Sequence, residues 1–273
     1  MTSRITETFE KLRAEKRPGL VTFTTAGDPD LPRSADILRA LDRAGADILE
    51  VGVPFSDPMA DGPVIQRATE RALAAGGCLS ASLALVAQVR ADILAPVVIF
   101  SYANPIMRMG IDAFARQAAS SGVDGVLALD LPIEEAAEFH ATLTAAGLDT
   151  IFLLSPTTTD ARIQRAAELG GGFLYGISRL GVTGARDAVA SGAKALVGRI
   201  RAQTSMPIAL GFGISRPEHV REVCGYADAA VVGSALVSLI AGESQSAALP
   251  DRVEAYVRWL KGDGVSSNDH FNA

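Results

Sequence analysis

A chain of 273 residues with 48% hydrophobic and 21% charged side chains carries enough apolar material for one large core, which argues against disorder and predicts a single domain. The formal net charge is -6, and no basic stripe is interleaved with aromatics, so nucleic acid is an unfavourable partner. Two cysteines far apart in sequence, Cys78 and Cys224, make no metal-ligand pattern and suit a reducing cytoplasm.

The opening MTSRITETFEKLRAEKR is charged at helical spacing and lacks an apolar centre, so it reads as an amphipathic helix and not as a signal peptide. Residues 20–26 (LVTFTTA) predict a first strand, stopped by Gly27, Asp28 and Pro29, and residues 31–44 a helix. In DILEVGVPFSDPMADGPVIQ, residues 47–66, the run Ile48, Leu49, Val51 and Val53 predicts a buried strand that ends at Pro54, Ser56, Asp57 and Pro58. Helices are expected at 65–75 and 80–91, a strand at 96–103, a helix at 111–121 and a strand at 125–129.

The alternation continues with a helix at 134–146, a strand at 150–154, a helix at 161–169 and a strand at 173–177. A Gly-containing loop and a helix at 193–201 follow, then a strand at 208–212, a helix at 217–223, a strand at 229–232 and a last helix at 252–260. That makes eight βα units. They close most simply into a single α/β domain, a (β/α)8 TIM barrel with an extra N-terminal helix, while an open doubly wound sheet fits the same alternation. Residues 1–263 are expected to form the barrel domain and 264–273 a flexible C-terminal tail. The most apolar tract, 229–242, is shorter than the roughly 20 residues a membrane span needs and is interrupted by Gly233, Ser234 and Ser238, so no membrane is expected.

In a barrel the chemistry sits at the C-terminal ends of the strands. Glu50 lies inside an apolar strand, where a carboxylate is costly unless a partner meets it, and an arginine partner would make it purely structural. Asp61 enters by the loop that leaves the same strand. Before Gly62 and Pro63 it could simply cap a helix. As a pair, however, two acids in unlike surroundings can hold one carboxyl protonated and the other ionised.

Gly213, at the end of the seventh strand, and Gly233 with Ser234, at the end of the eighth and the start of a short helix, form a candidate phosphate cradle. The loop SRLGVTGAR, residues 178–186, has the length and position of a lid. None of the four lysines, Lys11, Lys16, Lys194 and Lys261, falls at a strand's C-terminal end, so a Schiff-base nucleophile is missing. His140 and His219 fall in helices and His270 in the tail, leaving no metal triad, and there is no GxGxxG or Walker loop.

LEVGVPFSDPMADGP, YGISRLGVTG, GFGIS and VVGSA together, in this order, resemble the alpha subunit of tryptophan synthase over almost the whole chain. The resemblance implies a lyase of tryptophan biosynthesis that cleaves indole-3-glycerol phosphate to indole and glyceraldehyde 3-phosphate by a retro-aldol step. By the same resemblance Glu50 is the acid and base, Asp61 balances charge at the indole nitrogen, and Tyr175 lies near the glycerol part. Thr183 is the lid residue that reaches back to the aspartate. Phe23, Ile65, Phe100, Tyr102, Leu127 and Phe212 form the indole pocket, with Phe100 bulkier than the leucine the family leads one to expect. Gly184, Gly213, Gly233 and Ser234 hold the phosphate.

No cofactor is implied in this chain, because pyridoxal phosphate belongs to the beta subunit expected as partner in a cytoplasmic alpha2beta2 heterotetramer. Asp57, Pro58, Asn104 and Pro105 match the docking surface for that partner. A stand-alone indole-glycerol-phosphate lyase and a non-catalytic regulatory subunit are the alternatives on the same fold.

Overall fold

The computed structural model describes residues 2–177, 192–211 and 213–263. The predicted lid with Thr183 and Gly184, Phe212, and the predicted tail at 264–273 lie outside the described residues.

The strands are β1 (Gly19–Thr25), β2 (Ile48–Gly52), β3 (Val97–Ser101), β4 (Gly125–Ala128), β5 (Asp149–Thr150), β6 (Leu153–Leu154), β7 (Leu174–Ile177), β8 (Ile208–Gly211) and β9 (Ala229–Val232). They pair in parallel in the order β5-β4-β3-β2-β1-β9-β8-β7-β6. Its two ends, β5 and β6, are halves of the predicted fifth strand. Between them the Ile151 N–H donates to the Val126 carbonyl at 2.9 Å on one side, and the Tyr175 N–H donates to the Phe152 carbonyl at 3.0 Å on the other. The sheet therefore closes on itself, and the open-sheet alternative is excluded.

Side chains alternate across each strand. Val21, Ile48, Val98, Leu127, Phe173, Ala209 and Ala229 fill the interior, while Leu49, Val51, Val97, Ile99, Val126, Leu210 and Val232 pack outward against the helices. Burial on both faces is why these strands read as continuous apolar runs. It also fixes the fate of Glu50, which shares the inward parity of Ile48.

Helix α1 (Arg4–Ala14) begins at Ser3, whose hydroxyl accepts from the Thr6 N–H, and it buries Ile5, Phe9 and Leu12 in the interior cluster. Phe9 meets Phe173 at 5.6 Å between ring centroids. A Cβ at Gly125 would come within 2.8 Å of Ile5, and one at Gly19 within 2.9 Å of Leu12, so glycine at these strand starts lets the helix approach. The extra helix thus plugs the N-terminal end of the barrel and leaves the C-terminal end for ligand.

The outer helices are α2 (Leu31–Arg43), α3 (Pro63–Ala74), α4 (Leu79–Val89), α5 (Ala103–Met109), α6 (Ile111–Ser120), α7 (Ala136–Ala145), α8 (Asp160–Leu169), α9 (Gly192–Gln203), α10 (Pro217–Cys224), α11 (Ser234–Gly242) and α12 (Leu249–Lys261). One was not expected. Helix α5 follows β3 directly with Pro105 in its first turn, where a missing N–H is harmless, and Gly110 at φ +87° separates it from α6. Seven residues are too few to show a helical period. Among the described residues no single helix is long and apolar enough to cross a membrane.

Candidate active site

A cavity of about 680 Å³, its open mouth included, lies at the C-terminal end of the barrel. Its wall contains Phe23, Asp61, Ile65, Phe100, Tyr175, Gly213, Gly233 and Ser234. Phe23 and Phe100 meet edge to face at 5.3 Å, and Phe100 meets Tyr175 at 6.4 Å, so one side of the cavity is an aromatic wall. Two strand-end glycines make room for it. A Cβ at Gly52 would lie 2.5 Å from the Phe23 ring, and one at Gly211 would lie 2.6 Å from the Tyr175 hydroxyl.

Glu50 is fully buried, and neither of its carboxyl oxygens has a hydrogen-bond partner among the described residues. No arginine among the described residues holds it. Desolvation alone pushes its pKa up to about 8, so the carboxyl is mostly protonated near neutrality. It sits beside Phe23 in the strand register and is close enough to Tyr175 that its charge adds to the burial that raises the Tyr175 phenol.

Asp61 is held differently. The Tyr102 hydroxyl donates to its Oδ2 at 3.1 Å and itself accepts from the Ala60 N–H at 3.0 Å, while Gln66 Nε2 donates to the Asp61 carbonyl at 2.9 Å. The cap of α3 is Gly62, with Pro63 first in the helix, so the carboxylate of Asp61 is free of that duty. Burial pushes its pKa up to about 6 and the Tyr102 bond opposes the rise, which leaves it mainly ionised at neutral pH. Helix α3 is anchored at its far end by a two-pronged pair in which Arg71 donates to buried Asp28 at 2.8 and 2.9 Å. Burial thus favours the protonated form of Glu50, which is outside the cavity lining, and leaves Asp61, on the wall, mainly ionised, a pair of states suited to acid–base chemistry.

Gly213 has φ +77°, a conformation suited to glycine, and Gly233 precedes Ser234 at the start of α11. Both segments line the same cavity. Glycine backbone and a helix N-terminus facing one space suit an anion.

Of the expected pocket residues, Phe23, Ile65 and Phe100 line the cavity, and Tyr102 lines an adjoining cleft with Gly52 and Asp61. Leu127 is completely buried in the barrel interior, and Leu129, two residues farther along the same face, reaches the wall instead. Phe212, Thr183 and Gly184 lie outside the described residues. Ala60, Leu129, Leu153, Val231 and Ala235 also line the wall without having been named as site residues from the sequence, and Ile214, next to Gly213 in the cradle turn, completes it. The two-residue period beyond Leu127 could have pointed to Leu129. The expected docking loops are exposed at Asp57 and Asn104, and each has an exposed methionine nearby, Met59 and Met107. No group of three or more His, Cys, Asp or Glu able to hold a metal occurs among the described residues.

Residues 9–263 match the family model described as tryptophan synthase alpha chain. A tryptophan synthase alpha chain of Geotalea uraniireducens is 49% identical over 259 residues, covering 95% of this chain and 97% of the relative. The crystal structure of tryptophan synthase subunit alpha from Legionella pneumophila superposes with a TM-score of 0.88 at 36% identity, over 96% of this chain and 98% of the other. A chain of Mycobacterium tuberculosis tryptophan synthase gives 0.89 at 37% identity over the same shares.

Proposed function

This chain belongs to the tryptophan synthase alpha chain family, and on that basis we propose that Glu50 is the acid and base of its reaction and Asp61 the carboxylate that balances the charge. The protein is a lyase of tryptophan biosynthesis. It cleaves indole-3-glycerol phosphate to indole and glyceraldehyde 3-phosphate, and its partner is the beta subunit, which carries pyridoxal phosphate.

The observation that supports the assignment best is a buried Glu50 without a counter-ion among the described residues, its carboxyl pushed up to about 8, on the strand whose following loop carries Asp61, pushed up to about 6. Glu50 gives its proton to ring carbon C3, which leaves the indole cationic. Asp61 accepts the ring N–H and stabilises that charge. The hydroxyl on the adjacent side-chain carbon then loses its proton to the Glu50 carboxylate as the bond from that carbon to C3 breaks. Its electrons return to the ring, the side chain leaves as an aldehyde, and Glu50 is protonated again.

Glu50 is outside the cavity wall as it stands, so this reading requires its carboxyl to turn toward the ring when substrate binds. Phe23, Ile65 and Phe100 enclose the indole, Tyr175 lies by the glycerol part, and Gly213, Gly233 and Ser234 hold the phosphate. We assign the chain no cofactor of its own, a cytoplasmic setting, and docking to beta through the loops of Asp57–Pro58 and Asn104–Pro105 in an alpha2beta2 complex. The exposed Met59 and Met107 support that surface.

The decisive assay is indole release from indole-3-glycerol phosphate by the chain alone and with a beta subunit. Indole in both, faster in the complex, is expected; indole in neither refutes the reading.

Because Asp61 works ionised and Glu50 works protonated, kcat/KM follows a bell between about 6 and about 8. Tyr102→Phe removes a bond that favours the ionised aspartate. Its acid limb shifts upward, with roughly three- to tenfold less activity at pH 6, while the alkaline limb stays in place. An unmoved acid limb would separate Tyr102 from Asp61.

A further inference from the structure

Ser215 follows Gly213 and Ile214 in the loop after β8 but is turned away from the cavity and is 3% exposed. Side chains from two separate helices take both of its main-chain groups. Its N–H donates to His219 Nδ1, on α10, at 3.3 Å. Its carbonyl accepts from the Tyr256 hydroxyl, on α12, at 2.9 Å across 41 residues of sequence. His219 and Tyr256 are themselves buried.

We propose that His219 and Tyr256 are positioning residues that set the phosphate affinity of the Gly213–Ile214 turn by gripping Ser215 from both sides. The proposal rests on the reading that this turn holds the phosphate. A glycine at φ +77° is free to adopt many conformations, so the turn's own chemistry leaves the direction of its N–H groups loose. An anion site works only when its donors are aimed before the ligand arrives. Immobilising the next residue at both its N–H and its carbonyl supplies that constraint. The C-terminal helix α12, which puts no residue in the cavity wall, is thereby linked to substrate affinity.

A narrower role is available to His219. It is the third residue of α10, and a side chain there that reaches back to an N–H before the helix resembles a capping box. Capping alone would change thermal stability and leave phosphate affinity untouched.

The test uses the chain in complex with its beta subunit and three variants, Tyr256→Phe, His219→Leu and His219→Asn. The first removes only a hydroxyl, and its ring keeps the contact with Trp259 at 5.7 Å. The last keeps an acceptor close to the position of Nδ1. Glycerol phosphate is the phosphate probe, and glycerol and indole are the probes without phosphate.

Tyr256→Phe and His219→Leu are expected to weaken glycerol phosphate binding and raise KM for indole-3-glycerol phosphate by about three- to tenfold. Their kcat should stay within about twofold and indole affinity should not change, while His219→Asn behaves much like the parent. Unchanged glycerol phosphate affinity in the first two variants overturns the proposal, whatever happens to their melting temperatures. So does an equal loss in His219→Asn and His219→Leu. If the parent protein bound glycerol phosphate no more tightly than glycerol, the phosphate reading of the turn would fall and the proposal with it.

Discussion

Glu50→Gln is expected to lower indole release by on the order of 10³-fold while glycerol phosphate still binds, and to make the fold less sensitive to alkaline pH. The amide keeps the size of the side chain but has no proton to give to C3 and no basic oxygen to recover one. The second effect comes from the same burial. The carboxyl is pushed from its ordinary value of 4.5 to about 8 in the native protein. Between those values the native state holds a proton that the unfolded chain has lost, so stability falls as pH rises through that window. The full effect is roughly 4 to 5 kcal/mol once pH exceeds about 8. Glutamine does not titrate, so the melting temperature of the variant relative to the parent should climb steadily from pH 5 to pH 8. Any penalty for burying an unpaired amide shifts that curve vertically and leaves its slope alone. A flat difference, or near-normal turnover, would remove Glu50 from its assigned role.

Asp61→Asn should reduce kcat/KM by about 10²- to 10³-fold, the usual size of losing one electrostatic stabiliser in an enclosed site. Asparagine still offers an oxygen to the indole N–H and to the Tyr102 hydroxyl, so binding geometry survives and only the negative charge is lost. The pH profile separates this from general damage. The acid limb near 6, where Asp61 titrates, should vanish, while the alkaline limb near 8 remains. An acid limb that persists in the variant would mean that another group produces it.

The βα alternation and the carboxyl pair were legible in the sequence for different reasons. Strands buried on both faces are continuous apolar runs, so a single polar residue such as Glu50 stands out in one. Asp61 was harder to read, since Asp before Gly-Pro fits a helix cap equally well. Only the position of the Tyr102 hydroxyl, 41 residues away, decided for a held carboxylate. Helix α5 went unseen because its seven residues are shorter than two helical turns.

By itself the sequence determined the alternation of strands and helices, the placement of Glu50 inside a buried strand and the glycines that end β8 and β9, because periodicity and backbone permissiveness are local properties; that Glu50 faces inward was decided by the register. The tertiary structure alone decided that the two halves of the fifth strand close the barrel, that α1 plugs its base, and that Leu129 instead of Leu127 reaches the cavity. It also decided that no arginine among the described residues meets Glu50. Each of these depends on which distant groups arrive at one place, and burial, which moves both carboxyl pKa values upward, exists only after they have arrived.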